Sequence, residues 1–337
     1  MSLPWRNSGQ SIDAQMIITK ANIKLWSAVG PRATFGLAAL ELGNEVGDLM
    51  ILTGDTSTSA GLDRFKKAFP DKFLDVGIAE QNMMGIAAGL ASEGTKVFTA
   101  TFAPFQTMRC CEQIKMNLGY MRHNVCMVGL ASGVVLGPLG YSHCCIEDVA
   151  VMRAIPGITV ISPADCTETF KAALAAVQHH QSVYLRLTGG PGAAPVYEDD
   201  YVFEIGRANV LREGSDVTII AAGTMVHPSL QAAEFLSQRG VSTGVINMHT
   251  IKPIDTAAIE KACRSSKLIV TIEEHSVVGG LGGAVAEFKS TLKNAPPQLI
   301  LGLPDHHGKA AEYKDLLERN GLTAQQIVLR IADSLAA

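Results

Sequence analysis

The chain has 337 residues, 47% of them hydrophobic and 18% charged, with a formal net charge of −4. That is enough apolar material for two buried cores and is not the composition of a disordered chain. No long basic run is present, so nucleic-acid binding, which needs Lys and Arg to neutralise phosphates, has no electrostatic support. No stretch reaches the roughly 18 uninterrupted apolar residues of a membrane helix. The N-terminal MSLPWRNSGQSIDAQ has no apolar core of the kind a signal peptide needs, and the expected location is cytoplasmic. Cysteines include the adjacent pairs Cys110–Cys111 and Cys144–Cys145 and no CxxC. Their odd count and spacing argue against a disulfide framework or a zinc site, and the expectation is reduced, buried small side chains.

In chain order, short β-branched runs alternate with longer amphipathic stretches. Strands are predicted at 49–53, 73–76, 96–101, 124–130, 158–162 and 183–187. Helices are predicted between them at 32–45, 62–69, 80–93, 105–118, 146–154 and 168–178. After Thr188 the run GGPGAAPVYEDD, rich in Gly and Pro and closing on acidic residues, reads as a linker. A second series follows, with strands at 217–221, 243–247, 268–272 and 299–301. Its helices are predicted at 227–238, 256–264, 281–292, 311–319 and 324–334. Such alternation implies parallel sheets covered on both faces: two doubly wound α/β domains joined near residues 190–205.

Several phosphate-binding signatures are missing. No GxGxxG follows a strand, and there is no GxxxxGK[ST] loop. Gly54-Asp55-Thr56 is not a GlyAspGly, and no later Asn is spaced to complete a magnesium-diphosphate site. GGLGG at 279–283 reads as glycines at a turn, and His306–His307 as a solvated loop pair rather than metal ligands. By its own motifs the chain holds no phosphate-bearing cofactor alone.

The most informative stretch is FLDVGIAEQNMMGIAAGLASEG, residues 73–94, a strand followed by a helix that Glu80 opens. Small residues on that helix allow close approach of a sheet or of another chain. A carboxylate in a first helical turn is ordinarily explained by the macrodipole alone. A second strand–helix stretch, KVFTATFAPFQTMRCCEQIKM, places Phe102 and Phe105 around Pro104. Those rings read either as core or as a face for a flat heterocycle.

Together GIAEQNMMGIAAGLA, TATFAPFQTMRCCEQIKM and IEDVAVMRAIPGITVISPAD resemble the pyrimidine-binding domain of transketolases. TIKPID at 250–255 and TIEEHSVVGG at 271–280 resemble the transketolase C-terminal domain. The resemblance implies an N-terminal extension (1–23), a pyrimidine-binding domain (24–190), a linker (191–205) and a C-terminal domain (206–337). It implies thiamine diphosphate as cofactor, with Mg2+ or Ca2+ and the diphosphate held by a separate chain that supplies the missing GlyAspGly domain. That makes this chain one subunit of a split enzyme, expected as α2β2, transferring a two-carbon ketol unit from a ketose to an aldose.

Residue by residue, Glu80 matches the glutamate that activates the cofactor through a pyrimidine ring nitrogen. Phe102 and Phe105 match the aromatics packing that ring, and Asp55 an aspartate near the cofactor. Arg32 and Ser59 match sugar-phosphate contacts, and His143 a histidine contacting a substrate oxygen near the reacting carbon. On the residues alone, each also has a bland reading as a helix-start arginine, a turn serine or a structural histidine.

The departures are specific. Leu139 replaces an aspartate that reads a donor hydroxyl, Ala131 a phosphate-binding histidine, and Gly189 a phosphate-contacting arginine. Charge-assisted hydrogen bonds are worth ~1.5–3 kcal/mol each, so the altered set points to a sugar donor other than the usual pentose phosphate. Other readings are a subunit of a deoxyxylulose-phosphate-synthase-like or 2-oxo-acid-dehydrogenase E1β-like enzyme, or a silent partner subunit.

Overall fold

The computed structural model describes residues 18–336; the N-terminal stretch considered for a signal peptide lies outside the described residues. In chain order the strands are β1 (Leu49–Thr53), β2 (Phe73–Asp75), β3 (Lys96–Phe102), β4 (Val125–Ser132), β5 (Ile158–Ile161) and β6 (Ser182–Thr188). They continue with β7 (Asn209–Arg212), β8 (Val217–Ala221), β9 (Thr243–Asn247), β10 (Thr250–Lys252), β11 (Leu268–Ser276) and β12 (Gln298–Leu303). The first sheet has seven strands in the order β10-β5-β6-β4-β3-β1-β2, and the second has five, β12-β11-β8-β9-β7.

Both sheets are parallel except at one edge pairing each, β10 with β5 and β7 with β9. Every residue of β4 and β6 is buried, as expected of central parallel strands covered on both faces. The two-domain α/β expectation therefore holds, with two additions. β7 and β10 are only three or four residues long, too short for a period-2 pattern to register. β10 also leaves the second half of the chain to complete the first sheet, pairing Thr250 with Ile161. Lys252 Nζ fixes it by donating to the Arg153 and Ile155 carbonyls.

A helix at Lys20–Val29 straddles residue 23, where the sequence reading ended an extension. Its Trp26 stacks on Phe170 of the Cys166–Gln178 helix, with ring centroids 4.6 Å apart. The helix predicted at 105–118 is broken. A single turn at Ala103–Gln106 gives way to a bend, then to Cys111–Gln113 and a π-helical stretch, Ile114–Tyr120. Side chains compete with the backbone here: Thr107 Oγ1 donates to the Ala103 carbonyl and Cys110 Sγ to that of Phe105.

One buried polar cluster ties the first half to the second, and another ties it to the linker. Arg186 on β6 bonds Asp148 at 2.8 Å and donates to the Glu274 carbonyl on β11 at 2.9 Å. Asp165, capping the Cys166–Gln178 helix, also accepts the Val196 and Tyr197 N–H groups of the linker. Gly36 lets the loop after β1 lie against the Pro31–Glu45 helix, since a Cβ there would sit 2.0 Å from the Gly61 carbonyl oxygen. That contact brings the loop beside Arg32.

Candidate active site

Asp55, Glu80 and Phe102 lie on or just beyond the carboxyl ends of the first sheet's strands, where open α/β sheets gather ligands. Asp55 follows β1, Glu80 follows β2 by a short turn, and Phe102 closes β3.

Glu80 opens the Glu80–Ser92 helix and is 4% exposed. A Cβ at Gly54 would lie 3.3 Å from Glu80 Cγ, so the β1 exit loop packs directly on the glutamate stem. Asp75 locks this corner. One oxygen, Oδ1, accepts the N–H groups of both Asp55 and Gly77 at 2.9 Å. Asp55 is thereby held at a left-handed φ of 59°. Burial would raise the Asp75 carboxyl, but those two N–H groups hold it below the usual range.

Phe102, Phe105 and His143 form an edge-to-face trio. Phe105 lies 6.2 Å from Phe102 and 5.5 Å from His143, between ring centroids. His143 Nδ1 is 3.0 Å from Ser142 Oγ. Over the face of Phe105 rests the Arg109 guanidinium, 4.0 Å from the centroid, and its Nη1 donates to Glu80 Oε1 at 2.8 Å. Sequence reasoning missed both Arg109 and Asp75. Arg109 stands four residues after Phe105, a spacing that predicts a shared face. Its bond to Glu80 spans 29 residues and had no local signal.

Arg32 and Ser59 form a second group. Arg32 Nη1 lies 3.3 Å from the Ser59 carbonyl oxygen, not its hydroxyl. The guanidinium is half-buried, and burial lowers its proton affinity. Both residues line a cavity of about 150 Å³ with Thr58, Gly190 and Pro191. The structure thus brings Glu80, Phe102, Phe105 and His143 together and sets Arg32 and Ser59 at the far end of the Asp55 loop. Of the three altered positions, Leu139 is 58% exposed, while Ala131 is buried with φ 51°. Gly189 follows β6, next to Gly190 of the small cavity.

Two family profiles match the chain: "Transketolase, pyrimidine binding domain" over residues 28–190 and "Transketolase, C-terminal domain" over 206–327. The chain belongs to the transketolase family. It is 41% identical over 286 residues to an apulose-4-phosphate transketolase subunit of Phocaeicola vulgatus, covering 83% of this chain and 90% of that protein. It is 39% identical over 298 residues to a 6-deoxy-6-sulfo-D-fructose transketolase subunit of a Clostridium species, covering 88% of this chain and 92% of the relative. A solved split-gene transketolase, described as an inactive β4 tetramer, superposes with a TM-score of 0.84 at 39% identity, over 91% of this chain and 99% of that one. A Campylobacter jejuni transketolase shares the fold alone, at 20% identity and a TM-score of 0.75, over 90% of this chain and 46% of that one.

The pyrimidine-binding and C-terminal portions of a transketolase are thus present as a split-enzyme subunit, in a family that depends on thiamine diphosphate. A flat nitrogenous group already rests between Phe105 and Glu80, so this corner fits an aminopyrimidine. Among the described residues, no group of three or more His, Cys, Asp or Glu side chains is placed to hold a metal ion.

Proposed function

We propose that this transketolase subunit seats the aminopyrimidine of thiamine diphosphate between Glu80 and the Phe102–Phe105 corner. The diphosphate, with Mg2+ or Ca2+, is held by a separate GlyAspGly-bearing chain in an α2β2 complex. Bound there, the cofactor supplies the electron sink that breaking a ketose carbon–carbon bond requires. Glu80 holds a proton at a pyrimidine ring nitrogen, and its burial keeps water from competing for it. Phe105 and Phe102 offer ring faces without competing hydrogen bonds. Asp55 lines the cofactor, and His143 bonds a substrate oxygen beside the reacting carbon.

Arg32 and Ser59 take the anionic end of the sugar. The two transketolase-subunit relatives carry a phosphate or a sulfo group in their substrate names, and a forked guanidinium suits either. Leu139, Ala131 and Gly189 favour a donor other than the standard pentose phosphate. On this reading residues 24–190 bind the pyrimidine, 191–205 link, and 206–337 serve packing and assembly after a short extension at 1–23.

Ile78 and Met108 are exposed apolar side chains next in the chain to the Glu80 and Arg109 segments, a surface suited to the partner chain. The cytoplasm is the proposed location; no described helix is long and apolar enough to cross a membrane.

The observation that carries this reading is a 4%-exposed carboxylate joined through one guanidinium to the face of Phe105, in a chain of this family. Glu80→Gln in the reconstituted complex should cut ketol transfer by at least about 100-fold while leaving the subunit folded. Unchanged turnover would hand the case to a silent subunit. A donor panel tests the substrate: xylulose 5-phosphate outperforming every alternative would remove the specialised-donor reading.

A further inference from the structure

We infer that Arg109 stands in for the cofactor's aminopyrimidine while the site is empty and has to swing away before that ring can be seated. The inference rests on the proposed roles of Glu80 and Phe105. A guanidinium is flat, carries N–H donors at its rim and stacks on aromatic faces. Arg109 uses all three properties: its Cζ lies 4.0 Å over the Phe105 ring, and its Nη1 donates to Glu80 Oε1 at 2.8 Å. A pyrimidine stacked on Phe105 and bonded to Glu80 would need the same face and the same carboxylate. The two occupants exclude one another.

Burial explains why a stand-in is useful. Glu80 is 4% exposed, and a dry carboxylate without a partner is costly. Arg109 pairs it until the ring arrives. Arg109 is also free to leave, because its own side chain is 43% exposed. It sits in the bend between Ala103–Gln106 and Cys111–Gln113, not inside a regular helix. Gln81 Nε2, on the helix that Glu80 opens, donates to the Arg109 carbonyl at 3.0 Å. The backbone therefore stays anchored while the side chain swings. Met108, 41% exposed, adjoins it. A site populated in its open form only part of the time binds with its affinity reduced by that fraction.

The test is calorimetric titration of thiamine diphosphate, with Mg2+, into the complex of this chain and its diphosphate-binding partner. Arg109→Met keeps a stem to pack on Phe105 and removes the charged head. It should tighten cofactor binding by about tenfold or more, the size expected for one charge-assisted bond. Arg109→Lys, a backup should the methionine variant fail to fold, should tighten it less but in the same direction. Binding that is unchanged or weaker in the folded variant overturns the stand-in and makes Arg109 a residue that holds Glu80 or the cofactor. Glu80→Ala and Phe105→Ala separate the two levels. If they weaken cofactor binding while the Arg109 variants do not tighten it, only the stand-in falls. If neither weakens it, the proposed pyrimidine site falls as well.

Discussion

Phe105 meets a different neighbour on each side: the Arg109 guanidinium over its face, Phe102 and His143 against its edges. An aromatic pairing of this kind adds about 0.5–1.5 kcal/mol beyond area burial. Phe105→Leu keeps the apolar bulk and loses the ring face. It should weaken cofactor binding about threefold to tenfold, by calorimetry on the complex, with little change in melting temperature because Phe105 is half-buried. Cys110, close by, is not a rival nucleophile. Burial first, and the Glu80 charge second, push its thiol up to about 12, so it stays protonated. The other described cysteines are free thiols as well, and only Cys111 is not fully buried.

The Glu80–Ser92 helix presents two surfaces. Met83, Met84, Ala87 and Ala88 face the core. Gly85 and Gly89, one turn apart, have nothing within 4 Å of where a Cβ would point. Within this chain alone those glycines are unneeded, and each costs about 1 kcal/mol of helix propensity against alanine. Close approach of the proposed diphosphate-binding chain would give them a use. Gly85→Ala with Gly89→Ala should therefore raise the melting temperature of the isolated subunit and weaken its association with the diphosphate-binding chain. Thermal unfolding and sedimentation velocity read the two effects separately; unimpaired association would remove this helix from the interface. The broken segment at 103–120 ends in a π-helical stretch, and such turns are frequent at functional sites.

At the scale of the molecule, the buried clusters make the two sheets one body. Asp148 would be raised by burial, but Arg186, His275 and Tyr184 hold it below the usual carboxylate range. Arg186→Met leaves that carboxylate buried without its cation and should cost about 3–5 kcal/mol, seen as a lower denaturation midpoint in both halves together. Asp165 behaves oppositely. Burial and the nearby Glu168 push its carboxyl up to about 6. The folded chain therefore binds a proton that the unfolded chain has released, between an ordinary aspartate value of about 4 and pH 6. This contribution to stability is greatest at low pH and is lost as pH rises through 6. Denaturation midpoints at pH 4.5 and 7 should show it, and Asp165→Asn should flatten that part of the profile; an equal slope in the variant would exclude Asp165 as its source.

Sequence alone determined the contiguous features. The strand–helix alternation, Glu80 at its helix start and the Phe102–Phe105 pair are local, because backbone periodicity and short motifs are written within a few residues of each other. That Gly54-Asp55-Thr56 is not a GlyAspGly is legible for the same reason. Tertiary structure decided what depends on distant segments returning to one another. The Arg109–Glu80 pair spans 29 residues, and β10 crosses from the second half to close the first sheet. The Glu274 side chain accepts the Val134 N–H from 140 residues away. No local pattern encodes such meetings: each is fixed only when the sheets form and bring their strand ends together. The fold class was therefore legible in the chain, whereas the residue lying across the proposed cofactor face emerged only from its packing.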